Sequence, residues 1–375
     1  MNSVFSQLEL KFCSVPIPEI NAHKNSEFDF TAEQISNYKQ SQTHPSIVYV
    51  PDGWNGHKYW LATTPYPAAV GVFENTCVYY GDEDADGNPP TVFHPISGGV
   101  ANGEYTVTTN PIVKVDSTTA VNSDCDLILI DNVMWSISRD NKNKFATYSQ
   151  KSIDGMTWTP RGTTALWNQD IHPYGVELLS PSLLLDNGEI KAYCLKGSVG
   201  ATTPDYENNK GLCFGLDILK GTTLEGSGDF AYHQRGMLYG NRKVEPWHFD
   251  VFKDDTTGKY YAIMSASNRN FDTTGLKTYL AESDDGVNFY MYGLPLIQVH
   301  NQYRPTAFIR EDRKLVLYFS TYGYPTKDLV KADMLPNGAS DFSTDGRYIG
   351  LAVKDFDDVL ETLKKAKYTN YTKIM

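Results

Sequence analysis

Five short segments, far apart in the chain, can be laid over one pattern, and this recurrence restricts the fold more than any other feature. Each begins with a polar residue, continues with a proline or another residue and then a small or acidic one, and runs into apolar positions. The segments are His44-Pro45-Ser46-Ile47-Val48, Asp124-Cys125-Asp126-Leu127-Ile128, Ser180-Pro181-Ser182-Leu183-Leu184, His248-Phe249-Asp250-Val251-Phe252 and Arg304-Pro305-Thr306-Ala307-Phe308. Their first positions are separated by 80, 56, 68 and 56 residues. A period of this size marks a repeated supersecondary unit.

A second β-like run follows each anchor after a turn: 58 to 63, 133 to 138, 190 to 195, 259 to 265 and 314 to 320. The turns between carry Gly, Asn and Asp, including the Asn187-Gly188 hairpin signal. Two further turns share a Ser-x-Asp-Gly-x-x-aromatic pattern, Ser152 to Trp158 and Ser283 to Phe289, with Asp and Gly chosen for turn geometry. Five units of three to four strands predict an all-β fold, a five-bladed β-propeller over residues 44–354. Pro45, Pro181 and Pro305 agree, because the innermost strand of a blade is a sheet edge where a missing N–H costs little.

Helical periodicity is confined to two places. Phe356, Val359, Leu360 and Leu363 follow the i, i+3, i+4, i+7 rule, with Asp355, Asp357 and Asp358 before them and Lys364, Lys365 and Lys367 after. A shorter candidate runs from Thr31 to Gln40. The expected organisation is thus a short N-terminal arm (1–43), the propeller, and a C-terminal helix and tail (355–375).

Composition narrows the partners. The 375 residues carry a net charge of −12, which disfavours phosphate backbones and anionic membranes, so neither nucleic acid nor membrane insertion is expected. No basic and apolar leader precedes the first anchor. The five cysteines show no metal-ligand spacing, as expected for a chain made in a reducing cytoplasm.

In a propeller the first strand of every blade lines the axis, so His44, Asp124, Ser180, His248 and Arg304 converge. Two residues on, Ser46, Asp126, Ser182, Asp250 and Thr306 form a second tier. Aromatic side chains stand nearby in Trp54, Trp60, Trp135, Trp247 and Tyr303. Such a funnel suits a sugar, with aromatic faces on its C–H surface and charged groups on its hydroxyls. The glycan-binding candidates are His44, Asp124, Asp126, Ser180, Trp247, His248, Asp250, Tyr303 and Arg304. Converging carboxylates and carbonyls also suit a structural calcium ion on the axis. The acidic stretch 81 to 87 lacks the spacing and closing Glu of a calcium loop and reads as a solvated turn.

The run from His44 to Pro67, with NSDCDL, LLSPSLLLDNGEIKAYC, WHFDV and the paired Ser-x-Asp-Gly turns, resembles the propeller of receptor-binding proteins from phages of Gram-positive bacteria. That module is in turn similar to family 43 glycoside hydrolases. The resemblance implies a trimeric tail protein of the virion that meets other tail proteins and binds a host cell-wall glycan. The hydrolases place an aspartate base on blade 1, a second aspartate on blade 2 and a glutamate acid on blade 3. Here those positions hold His44, Asp124 and Ser180. Serine cannot act as the acid, so a non-catalytic receptor-binding protein is the leading expectation. The alternative is a glycoside hydrolase or depolymerase that uses Asp124 with Glu177 or Asp250.

Overall fold

The computed structural model describes residues 3–23, 29–113, 122–140, 147–163, 181–195, 212–225, 231–240, 244–268, 276–298, 302–321 and 347–366. They form a five-bladed β-propeller of four-stranded blades. Blade 1 comprises Gln42–Trp54, His57–Pro65, Cys77–Gly81 and His94–Pro95, and blade 2 comprises Asn122–Ile130, Val133–Asp140, Thr147–Ser152 and Gly162–Thr163. Blade 3 is built from Ser182–Asp186, Glu189–Leu195, Leu212–Gly221 and Ala231–Gly240. Val244–Lys253, Tyr260–Asn268, Lys277–Ser283 and Asn288–Met291 make blade 4. Gln302–Ile309, Lys314–Thr321 and Ile349–Asp355 supply three strands of blade 5.

The fourth strand of blade 5 comes from the other end of the chain. Lys11–Phe12 pairs antiparallel with Leu351 and Gly350, so residues ahead of the first anchor belong to the propeller. This closure covers a sheet edge that would otherwise present unpaired N–H and C=O groups. Phe5, Leu10 and Phe12 anchor it, each almost fully buried.

Among the described residues the core between the blades is divided into five wedges, one between each pair of neighbours, and a sixth cluster of Ile17, Ile20, Phe30 and Phe73 lies beside blade 1. Trp60, Ala62 and Val78 of blade 1 meet Cys125, Leu127 and Met134 of blade 2. Ile128 and Ile137 meet Leu183, Ile190 and Leu219. Tyr193 and Leu216 face Phe249 and Val251, Tyr261 and Leu280 face Leu317 and Phe319, and Val316 and Tyr318 face Tyr59 and Tyr79. Alternation along each strand therefore buries both faces of every blade. That is why so many aromatic residues are needed.

Local signals act as the sequence implies. Asn187 and Gly188 have φ of +53° and +79°, the pair of left-handed residues that a type I′ hairpin requires. Asp154 and Asp285 cap matching turns, each accepting two backbone N–H groups through Oδ1, at 2.8 and 2.7 Å from Met156 and Thr157 and at 2.8 Å from both Val287 and Asn288. The C-terminal helix spans Phe356–Lys365, with the Asp355 carboxylate accepting from Asp357 and Asp358 N–H. Its apolar stripe (Phe356, Val359, Leu360, Leu363) packs into the wedge between blades 4 and 5. Thr31 and Gln34 form a capping box on the short helix Ala32–Tyr38.

Candidate active site

The inner strands do not run straight to the axis. In blades 1, 2, 4 and 5 the register slips at the anchor, between Thr43 and Ser46, Ser123 and Asp126, Pro246 and His248, and Gln302 and Pro305. His44 and Asp124, the extra residues of two bulges, adopt φ of +51° and +53°. A bulge re-aims a side chain and bends its strand. Here it separates the two tiers of polar residues and gives them different tasks.

The second tier is a closed belt. Ser46 Oγ donates to Asp126 Oδ1 at 2.6 Å and accepts from Leu127 N–H at 2.9 Å. Asp126 Oδ2 accepts from Leu183 N–H at 2.7 Å in blade 3. Ser182 Oγ donates to Asp250 Oδ1 at 2.7 Å and accepts from Val251 N–H at 2.8 Å in blade 4. Thr306 Oγ1 of blade 5 donates to Asp250 Oδ2 at 2.8 Å and accepts from Ile47 N–H of blade 1 at 3.3 Å. Each blade is thereby tied to the next. Burial raises the carboxyl pKa of both Asp126 and Asp250, with the Asp250 charge adding to the effect on Asp126. Asp126 and Asp250 reach the axis as expected, but their oxygens serve the belt and are not presented to a sugar. The same commitment removes Asp250 as a partner for Asp124 in acid–base work.

The first tier is different. One ring nitrogen of His44, an oxygen of Asp124 and a ring nitrogen of His248 all lie within 4.8 Å of one another, and all three residues are buried. Thr64 Oγ1 sits 2.8 Å from His44 Nδ1 and fixes the ring. Arg139 Nε donates to Asp124 Oδ2 at 2.8 Å. His44 Nε2 is 3.1 Å from Asp124 Oδ1 yet makes no hydrogen bond. Burial pushes the His44 imidazole down to about 3, with Arg304, Arg347 and Arg139 acting in the same direction against Asp124. Burial likewise takes His248 well below its ordinary value. Burial opposes ionisation of Asp124, but Arg139 and the other positive groups hold its carboxyl below the usual range. Two neutral imidazoles and one carboxylate thus share a dry site.

Tyr303 packs edge-on against His248 with ring centroids 4.4 Å apart, and Trp247 lies 5.4 Å from His248 on another side. Burial keeps the Tyr303 phenol protonated. Arg304 is fully buried, with Nη2 at 3.5 Å from Asp126 Oδ1 and 3.4 Å from the Pro181 carbonyl. Its Nε and Nη1 make no hydrogen bond.

The other aromatic candidates stand elsewhere. Trp54 and Trp60 meet edge-to-face with ring centroids 4.9 Å apart inside the wedge between blades 1 and 2, and Trp135 packs beside the wedge between blades 2 and 3. Ser180 and Glu177 lie outside the described residues.

Besides Thr64 and Arg139, two more residues at the site carry no anchor signal. Glu74 lies on the connection between the second and third strands of blade 1, where it hydrogen-bonds Ser123 Oγ, next to Asp124. Burial, helped by the Asp124 charge, raises its carboxyl to about 7. Arg347, buried, stacks between Tyr66 and Tyr303 at 3.9 and 4.7 Å. Glu74 belongs to no repeat, and Arg347 enters from the last blade, so neither was visible as a spacing.

No protein-family model matches the chain. It is 23% identical over 273 residues to the A type blood N-acetyl-alpha-D-galactosamine deacetylase of Flavonifractor plautii, a match covering 67% of this chain and 34% of that protein. The chain therefore spans only about a third of its curated relative. Among solved structures, an N-acetylgalactosamine deacetylase from F. plautii, in complex with blood group B trisaccharide, superposes with a TM-score of 0.67. The match is 20% identical and covers 94% of this chain and 96% of that one. A GH43_1 enzyme from Xanthomonas citri gives 0.55 at 12% identity, covering 85% and 88%. A thermostable family-43 glycoside hydrolase gives 0.52 at 12%, covering 84% and 91%. The fold is the family 43 type of propeller.

These relatives overturn the expectation of a non-catalytic phage receptor-binding protein. They are named as enzymes acting on carbohydrates. The tail partners, the homotrimer and the virion location rested on that assignment alone.

Proposed function

We propose that this chain is a carbohydrate-modifying hydrolase that removes the N-acetyl group of an amino sugar, with His44, Asp124 and His248 holding a divalent cation. The observation that carries the reading is the buried meeting of two neutral imidazoles with one carboxylate, where a family 43 glycosidase needs paired carboxyls. His44 Nε2 lies 3.1 Å from Asp124 Oδ1, so an imidazole presenting its Nε2 lone pair and the carboxylate would both reach one cation. Two imidazoles in the set favour a transition-metal dication over calcium, which takes oxygen ligands. A dication there supplies Lewis acidity to an acyl carbonyl and acidity to water.

The chain's own groups fill the remaining roles. Thr64 and Arg139 orient His44 and Asp124 from behind. The protonated Tyr303 phenol is a donor for developing negative charge on the acyl oxygen. Glu74, raised toward neutrality, is the group suited to exchange a proton with water and the departing amine. The deacetylase relative supports the amide as the bond broken.

The test is acetate release from methyl N-acetyl-galactosaminide and N-acetyl-glucosaminide, with manganese or zinc added or after chelation. Release that disappears with chelator and in Asp124→Asn and His248→Ala is expected. Metal-independent release, or none from any N-acetyl sugar, sinks the proposal. One observation favours a glycosidase instead: Glu74 is raised while nearby Asp124 is lowered, the split that separates an acid from a base. New reducing ends without acetate would establish that reading.

A further inference from the structure

A cavity of about 430 Å³ opens at the end of blade 2 that carries Asp124, lined among others by Thr106, Val107, Thr108, Asn122, Pro160 and Arg161. Its volume is within the range of small-molecule sites, roughly 300–1,000 Å³. Asn122 belongs to both places. It begins the inner strand of blade 2, two residues before Asp124, so strand geometry puts the cavity wall within about 7 Å of the cluster. Asn122 is fixed on the axial side, its side-chain amide donating to Asn75 Oδ1 at 2.9 Å and its backbone N–H to the Glu74 carbonyl at 2.8 Å. On the cavity side Arg161 Nη1 donates to Asn122 Oδ1 at 2.6 Å.

Arg161 is held rigidly. Its guanidinium lies 3.9 Å over the Tyr148 ring and pairs with the fully buried Asp140 carboxylate at 3.3 Å. Because Asp140 already neutralises it, the cavity has hydrogen-bond donors but no charge left for an anion. The Val107 backbone, bonded both ways to Trp158 at 2.9 Å, fixes the opposite wall and holds Thr106 and Thr108 beside it. Hydroxyl and guanidinium groups beside Val107 and Pro160 match the two kinds of surface on a neutral sugar ring.

We infer that this cavity is a second subsite, which takes the neutral sugar attached to the residue held at the His44–Asp124–His248 cluster. The enzyme then acts on an oligosaccharide and not on a single amino sugar. This rests on the carbohydrate reading of the axis, and the experiment separates the two. Wild-type protein and the Thr108→Trp and Arg161→Lys variants are given an N-acetyl-galactosaminide as its methyl glycoside and as a disaccharide with neutral galactose. Acetate release gives KM, and saturation-transfer NMR of the same ligands gives binding without turnover.

The disaccharide is expected to bind on the order of tenfold more tightly to the wild type. That ratio should collapse toward one in Thr108→Trp, which fills the cavity, and fall in Arg161→Lys, which keeps the charge but loses the fork. The same preference in binding without acetate release would keep the subsite and reject the deacetylation. Equal binding of both ligands to the wild type, or a ratio untouched in Thr108→Trp, overturns the inference.

Discussion

Gly155 offers a quantitative test of how the propeller wedges are packed. It closes the Ser152–Gly155 turn of blade 2 with φ of +76°, and a Cβ there would stand 2.1 Å from Cη2 and 2.3 Å from Cζ3 of Trp60. Trp60 has no room to retreat, being fully buried, packed edge-to-face against Trp54 with ring centroids 4.9 Å apart and hydrogen-bonded to the Trp54 carbonyl at 3.3 Å. An L-residue in the left-handed region costs about 1–2 kcal/mol, and overpacking a filled core adds about 1–3 kcal/mol. Gly155→Ala should therefore cost about 2–5 kcal/mol. Gly188 supplies the control, with φ of +79° and nothing within 4 Å of the added carbon, so Gly188→Ala should show the backbone cost alone. Gly286 lies between, its added carbon 3.2 Å from the Tyr260 ring and the Tyr193 hydroxyl. Urea unfolding of the three variants should rank them Gly188, Gly286, Gly155 in rising loss, with the slope against denaturant unchanged. If Gly155→Ala and Gly188→Ala lose the same stability, the Trp60 contact is not as close as described and the reasoning fails.

Other consequences follow from the site and the belt. Arg139→Met leaves a buried Asp124 carboxylate without its guanidinium and should cost about 3–5 kcal/mol in urea unfolding; wild-type stability in the variant would refute the pairing. Ser46→Ala deprives both Asp126 and Leu127 N–H of a partner and should cost about 1–3 kcal/mol, measured the same way. Asp186 accepts from Lys191, Lys253 and Tyr260, which overcome burial and hold its carboxyl below the ordinary value. With the folded value below the unfolded one, its contribution is complete above about pH 4 and is lost as pH falls further. Thermal melts from pH 5 to pH 2 should show a shallower acid decline in Asp186→Asn than in wild type, and parallel declines would count against it.

Much of the architecture was legible in the chain. The five anchors gave the number of blades, the prolines at 45, 181 and 305 marked inner edges, and Asn187-Gly188 and the Ser-x-Asp-Gly turns fixed hairpins. These signals are local: proline lacks a donor and glycine admits positive φ wherever the chain places them. The meeting of His44, Asp124 and His248 was legible too, as a consequence of blade order. Which tier stays available for chemistry was not. Asp126 and Asp250 are as acidic in sequence as Asp124. They are consumed because bulges at the anchors rotate one tier toward the axis and leave the next facing hydroxyls and N–H groups of neighbouring blades. The same holds for Glu74 and Arg347, whose place at the site depends on a connection and a final blade that only the closed ring brings inward. Composition and spacing set the repeat, because each blade obeys short-range rules. Packing around a common axis decided the chemistry, because desolvation and partnership arise only between strands distant in the chain.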